Sequence, residues 1–218
     1  LLGDFLDRLD AKGMLDRTLV IITSDHGDEF YEHGHCDHTH TLYDELVRVP
    51  WIMFGPGVPA KTTVGDAVGL IDILPTVLDL FGVETEATLQ GVSRGFADGW
   101  NRGSGDEAVF GFTGYAEFPY HLSSVRTDRW KLVVNRFAGM KDVDWAGYDP
   151  RPDYAQKITR RMDDFVELFD LRADPGERDN VAKARPEVVA RLAKRLEARI
   201  EQSNRLRKEM TDPGPPDE

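Results

Sequence analysis

The chain has 218 residues, 40% of them apolar, and its 27 Lys and Arg against 39 Asp and Glu give a net charge of −12. That length can bury a sizeable core, and the apolar share excludes a disordered chain. The acidity argues against a nucleic-acid binder working by phosphate neutralisation, and one cysteine excludes a disulfide framework within the chain.

The opening Leu1-Leu2-Gly3-Asp4-Phe5-Leu6 carries no initiator Met, basic n-region or cleavage site. It starts inside a helical pattern, so the sequence reads as the C-terminal piece of a longer protein. Leu2, Phe5, Leu6, Leu9 and Met14 predict an amphipathic helix ending near Lys12-Gly13. Thr18-Leu19-Val20-Ile21-Ile22-Thr23 is a continuous, largely β-branched run. Such a run predicts a strand buried on both faces, as in a parallel sheet under helices. Ser24-Asp25-His26-Gly27 follows at its carboxyl end, where α/β enzymes collect their sites.

Trp51-Ile52-Met53-Phe54 predicts a second strand, entered through Pro50 and ended by Gly55-Pro56-Gly57. Residues 70–82 predict a helix with Pro75 in its first turns and Gly82 past its end. Residues 83–107 are polar and Gly-rich. From 108 onward the texture changes to short strands at 108–115, 123–127, 130–135 and 165–170, with a turn at Asp128-Arg129. Val188, Val189, Leu192, Leu196 and Ile200 predict a helix over 186–203, and the acidic, Pro-rich tail from Asp212 is expected to fray. No run of about 18 apolar residues could span a membrane. The expected division is therefore a domain over 1–107 and a subdomain over 108–218, the latter of antiparallel strands closed by a helix.

Five of the six histidines fall between 25 and 40, among Asp25, Asp28, Glu29, Glu32, Cys36 and Asp37. Imidazole and carboxylate at a strand end are the donor set of a metal or phosphate-type site. A solvated polar loop is the plainer alternative. Asp25 and His26 can both reach one cation if the chain turns at Gly27. Ser24 or Asp25 could instead cap a helix. His33-Gly34-His35-Cys36-Asp37-His38 also fits the H-x-H-x-D-H pattern of zinc hydrolases, although no buried strand precedes it directly. Cys36 shows no activating surroundings beyond these histidines. Trp51, Trp130 and Trp145 read as packing residues, Arg48 as a carboxylate partner or a packing residue at a strand entry, the basic run over 191–208 as a solvated helix face, and His121 as part of a rim loop.

Three stretches together resemble the sulfatases of the alkaline phosphatase superfamily. They are Val20-Ile21-Ile22-Thr23-Ser24-Asp25-His26-Gly27, the run from His38 through Leu42-Tyr43-Asp44-Glu45 to Arg48-Val49-Pro50, and Arg126-Thr127-Asp128-Arg129-Trp130-Lys131-Leu132. The third is joined later by Glu167-Leu168-Phe169-Asp170 and Asp174-Pro175-Gly176-Glu177. Leu70-Ile71-Asp72-Ile73-Leu74-Pro75-Thr76 also matches, so the likeness covers nearly the whole chain in order.

The resemblance implies an α/β fold: an alkaline-phosphatase-like arrangement of helices on a mixed sheet, followed by the small subdomain. It implies that Asp25 and His26 bind a divalent cation, calcium in most sulfatases and manganese or zinc in phosphoester-cleaving relatives. It gives His38, with His40 as a near alternative, the role of contacting the sulfate oxygens and leaving group. The family often has Lys there and Asn at position 26. The family's formylglycine motif, Cys/Ser-x-Pro/Ala-x-Arg, does not occur here, and Cys36 does not supply it. An N-terminal portion of the same protein would then carry the nucleophile and further ligands. The expected substrate is a small-molecule or carbohydrate sulfate ester. Three rivals stand beside this reading: a phosphodiester, phosphonate or phosphoryl-transfer enzyme of the same superfamily, a degenerate non-catalytic binding module, and a zinc hydrolase using His33, His35 and His38.

Overall fold

A computed structural model of the chain describes residues 1–34, 36–38, 41–95, 108–113, 122–135 and 166–211. Contacts divide the chain into two units, Leu1–Gly27 with Arg48–Glu107 and Asp28–Val47 with Ala108–Glu218. Residues 28–47 therefore group with the C-terminal strands, not with the segments that flank them in sequence.

In the first unit, helix α1 (Leu2–Asp10) ends in a turn at Gly13, whose φ of +62° suits a residue without a side chain. Strand β1 (Val20–Thr23) pairs with the strand Trp51–Phe54, here β4 because two short strands precede it. The pairing is antiparallel, from Val20 opposite Phe54 to Thr23 opposite Trp51. Val20–Ile22 are partly buried and Thr23 is exposed. The parallel, doubly buried strand expected from the sequence is thus corrected. A β-branched run records the apolar character of a strand's surroundings but does not encode its partner's direction. Gly55 ends β4 at a φ of +134°, where an added Cβ would lie 2.4 Å from the Thr18 carbonyl oxygen.

A 3₁₀ turn (Leu70–Asp72) runs into helix α3 (Ile73–Leu80), with Pro75 in the first turn and Gly82 at φ +61° beyond the end. Both features match the sequence reading. The buried Asp72 carboxylate holds the following loop. It accepts from the Gly69 and Val92 amides at 3.2 and 2.9 Å, and its Oδ2 lies 3.0 Å from Arg94 Nη2.

In the second unit, short strands β2 (Glu29–Phe30) and β3 (Cys36–Asp37) form a hairpin, followed by a single helical turn α2 (Asp44–Val47). Strands β5 (Val109–Thr113), β6 (Leu122–Arg126), β7 (Trp130–Asn135) and β8 (Val166–Asp170) form an antiparallel sheet in sequence order. The tight β6–β7 turn is closed by the Thr127 amide donating to the Trp130 carbonyl at 2.8 Å. Alternation along the strands gives the sheet two apolar faces. Val125, Trp130, Leu132 and Leu168 pack against Val188, Leu192 and Leu196 of the long helix α4 (Pro186–Thr211). Val133 and Phe169, on the other face, pack against Leu42 and Tyr43 of the 28–47 segment. Gly111 makes room there: a Cβ would meet Ser124 Oγ at 2.7 Å and Leu42 at 3.6 Å.

Helix α4 continues eight residues past the expected 203. Leu206 extends its apolar periodicity, and in the sequence the next signal against helix is Pro213, which disfavours helix in the residue before it. Trp130 packs in the core beneath the Arg129 guanidinium, 4.8 Å from its ring centroid. Trp145, His121 and the 212–218 tail lie outside the described residues. Among the described residues no helix is long and apolar enough to cross a membrane.

Candidate active site

β1 delivers Asp25 and His26 just past its carboxyl end, as the sequence spacing implies. Ser24 fixes the turn by donating from Oγ to the His26 carbonyl at 2.7 Å, and the His26 amide donates to Asp25 Oδ1 at 3.1 Å. Backbone hydrogen bonding first, then the charge of the neighbouring His26, holds the Asp25 carboxyl below its ordinary range. The side chain is therefore an anion ready for a cation. His26 Nδ1 lies 2.9 Å from the Gly27 carbonyl oxygen, which can only accept, so Nδ1 carries a proton and Nε2 is the nitrogen through which the neutral ring would bind a cation. That Nε2 is 3.8 Å from Asp25 Oδ2. Ligand bonds of about 2.0–2.6 Å to one ion can span such a gap. These two residues fit a divalent cation in donor chemistry and in tautomer.

His38 stands in the second unit, immediately after β3. Its Nδ1 is 3.1 Å from Asp28 Oδ1 and 2.7 Å from Asp37 Oδ1. Carboxylates can only accept, so Nδ1 donates and the ring's orientation and tautomer are set from that side. Its alternative in the sequence, His40, lies outside the described residues.

The Sulfatase family model matches residues 1–83. Arylsulfatase K of Mus musculus is 29% identical over 198 residues, 90% of this chain and 32% of its own length. The chain thus spans about a third of the length of the curated relatives it matches. A solved 2-O GAG sulfatase superposes with a TM-score of 0.72 at 26% identity, covering 93% of this chain and 40% of that one. Family model, curated relatives and solved structures all point to the sulfatases. A further protein, solved in complex with its substrate D-glucosamine-2-N,6-O-disulfate, aligns at 25% identity with a TM-score of 0.66, covering 92% of this chain and 37% of that one. The α/β architecture with its antiparallel subdomain is accordingly that of the sulfatase fold.

In this chain His33 is not available as a zinc ligand. Its Nε2 lies 3.0 and 3.1 Å from the Gly176 and Glu177 carbonyl oxygens, and its Nδ1 is 3.1 Å from Glu45 Oε1. The ring stacks on Tyr43 with centroids 3.8 Å apart. Both nitrogens face oxygens and the side chain is buried, so the H-x-H-x-D-H pattern does not form a zinc site through His33. His35 of that pattern lies outside the described residues. Cys36 is exposed, and Arg48, expected to pair with a carboxylate, is exposed too.

Sequence reasoning missed three participants. Asp28 was visible in the cluster, but its pairing with His38 depends on the hairpin bringing residues ten apart together. Lys131 is fully buried between Asp44 Oδ1 at 2.9 Å and Glu177 Oε1 at 2.7 Å. Glu177 also accepts the Asp44 amide at 2.6 Å. A charged residue inside Trp130-Lys131-Leu132-Val133-Val134 was the available signal, since a buried Lys needs a buried partner.

Proposed function

We propose that this chain is the C-terminal portion of a metal-dependent sulfuric ester hydrolase. The observation that carries the reading is the Asp25–His26 pair at the end of β1, inside the family-matched residues, with an ionised carboxylate and a ligating imidazole tautomer on adjacent residues. Asp25 and His26 would hold a divalent cation, calcium first, with manganese or zinc as the alternatives. When bound, such a cation neutralises the ester oxygens and orients the group.

His38 contacts the sulfate or the leaving oxygen in this reading. With Nδ1–H donated to Asp28 and Asp37, Nε2 is the atom through which it accepts a hydrogen bond or passes a proton. The nucleophile and remaining ligands come from an N-terminal portion of the same protein. Leu2, Phe5, Ile52, Leu74 and Phe81, all more than half exposed, supply the apolar surface for that portion. The substrate class is a sulfated sugar or other small sulfate ester, in line with the disulfated glucosamine of the structural relative.

Histidine at both 26 and 38, where sulfatases often carry Asn and Lys, favours keeping a phosphoester substrate as the second reading. The test is hydrolysis of an aryl sulfate and of the matching aryl phosphate monoester and diester by the protein joined to its N-terminal portion. Each is run with and without a chelator and in the His38→Ala variant. Chelator-sensitive sulfate release that falls with His38→Ala is expected. Phosphate release alone would move the assignment to the phosphoester branch. No turnover and no bound cation would mark a degenerate binding module.

A further inference from the structure

We propose that His33 is a positioning residue that sets the place of His38 from the far end of the β2–β3 hairpin. The inference rests on the reading of His38 as the substrate-contacting residue. The hairpin has only two residue pairs, Glu29 with Asp37 and Phe30 with Cys36. Its backbone is also costly. Tyr31 and Asp37 take positive φ values of +73° and +85° without being glycine. Such residues are strained and persist where their surroundings over-determine them. Two residue pairs do not suffice for that.

His33, in the connecting turn, supplies the missing constraint. One nitrogen reaches the Gly176 and Glu177 carbonyls, the other faces Glu45, and one face of the ring lies on Tyr43. Two of these partners, Tyr43 and Glu177, are fixed in turn. Tyr43 donates to Glu167 on β8 and meets Phe169 edge-on. Glu177 is held by Lys131 and by the Asp44 amide. The hairpin is therefore tied to the four-stranded sheet through its tip, and Asp37, the strained residue of β3, leads directly into His38. Moving the tip moves Asp37, and with it the carboxylate that faces His38 Nδ1.

The test uses the protein joined to its N-terminal portion, with ¹⁵N-labelled histidine, reading the ring nitrogens of His38 by NMR and assigning them by their loss in His38→Ala. His33→Phe keeps a ring against Tyr43 and gives up every nitrogen contact. The expected result is displaced or broadened His38 ring signals while the β5–β8 and α4 amides keep their positions. In turnover of an aryl sulfate by that joined protein, kcat should fall on the order of 100-fold with little change in KM, as expected of a group misplaced by about 1 Å. His38 signals unchanged in folded His33→Phe would overturn the proposal. If that variant does not fold, Glu45→Gln, which weakens one contact and keeps the side-chain size, is judged by the same criterion. Failure of the underlying reading looks different: His38→Ala would leave sulfate ester hydrolysis intact, whatever His33→Phe does to the His38 signals.

Discussion

Replacing Lys131 with Met tests how the 28–47 segment is held on the sheet. The Lys131 side chain is 0% exposed and sits 2.9 Å from Asp44 and 2.7 Å from Glu177. Met has nearly the same length and volume, so the cavity contribution is small and the change is mainly electrostatic. Removing one partner of a buried ion pair costs about 3–5 kcal/mol, because the remaining charge stays desolvated. Two features place this case at the lower end. Asp44 keeps Arg126 at 3.4 Å, and Glu177 keeps the Asp44 amide. The expected loss is thus about 3 kcal/mol, roughly a 150-fold change in the folding equilibrium.

The pH dependence carries a sign that a cavity would not. Burial, partly offset by Lys131 and reinforced by the charge of Asp44, raises the Glu177 carboxyl above its ordinary 4.5. A carboxyl that binds its proton more tightly in the folded state favours folding at low pH. Its contribution falls as pH rises from 4.5 through the raised folded value. Without Lys131 that window widens, so the variant's deficit should be larger at about pH 7 than at about pH 5. Asp44 runs the other way. Its burial penalty is outweighed by Lys131 and Arg126, and its contribution holds above 3.8 and is lost as pH falls through the lowered folded value. Urea unfolding followed by circular dichroism, with hydrogen exchange at the β7 amides, measures both. Adding Glu177→Gln to Lys131→Met should recover part of the loss. A deficit under about 1 kcal/mol, or one independent of pH, would show that these charges are solvated and would refute the reasoning.

Asp72→Ala should cost about 3 kcal/mol, since it strands the buried Arg94 and frees the Val92 amide; urea unfolding with exchange at the residue 92 and 94 amides would show it. Leu192→Ala, under the sheet at 1% exposure, should cost about 2–5 kcal/mol in the same assay. Gly111→Ala should lose on the order of 1–3 kcal/mol by crowding Ser124 and Leu42. Ser124→Ala in the same chain should restore part of that, because it removes the atom at 2.7 Å.

The parts of this fold that were legible in the sequence are those where one local signal decides. Trp130–Asn135 follows its predicted span because a turn and a change of texture bound it. Gly82 and Pro75 bracket α3 for stated stereochemical reasons. Asp25 and His26 stand just past β1, as the spacing predicts, because the apolar run of the strand ends directly before them. What could not be read depends on pairing over long separations. The direction of β4 against β1 leaves no mark on either strand. His33 sits in a motif that suggests zinc, and only the approach of the Gly176–Glu177 turn, 143 residues away, gives it another role. Glu177 looks like an ordinary turn residue, yet its φ of +53° and its burial are set by Lys131 and Asp44 from elsewhere in the chain.

Asp25 and His26 are proposed to hold the cation of a sulfatase-type site. Native mass spectrometry with elemental analysis, on the protein joined to its N-terminal portion, tests it most directly. One divalent cation per chain is predicted, calcium first, present in wild type and in His33→Phe and lost in Asp25→Ala and His26→Ala. A cation that survives both of those substitutions, or zinc that disappears with His33→Phe, would contradict the account.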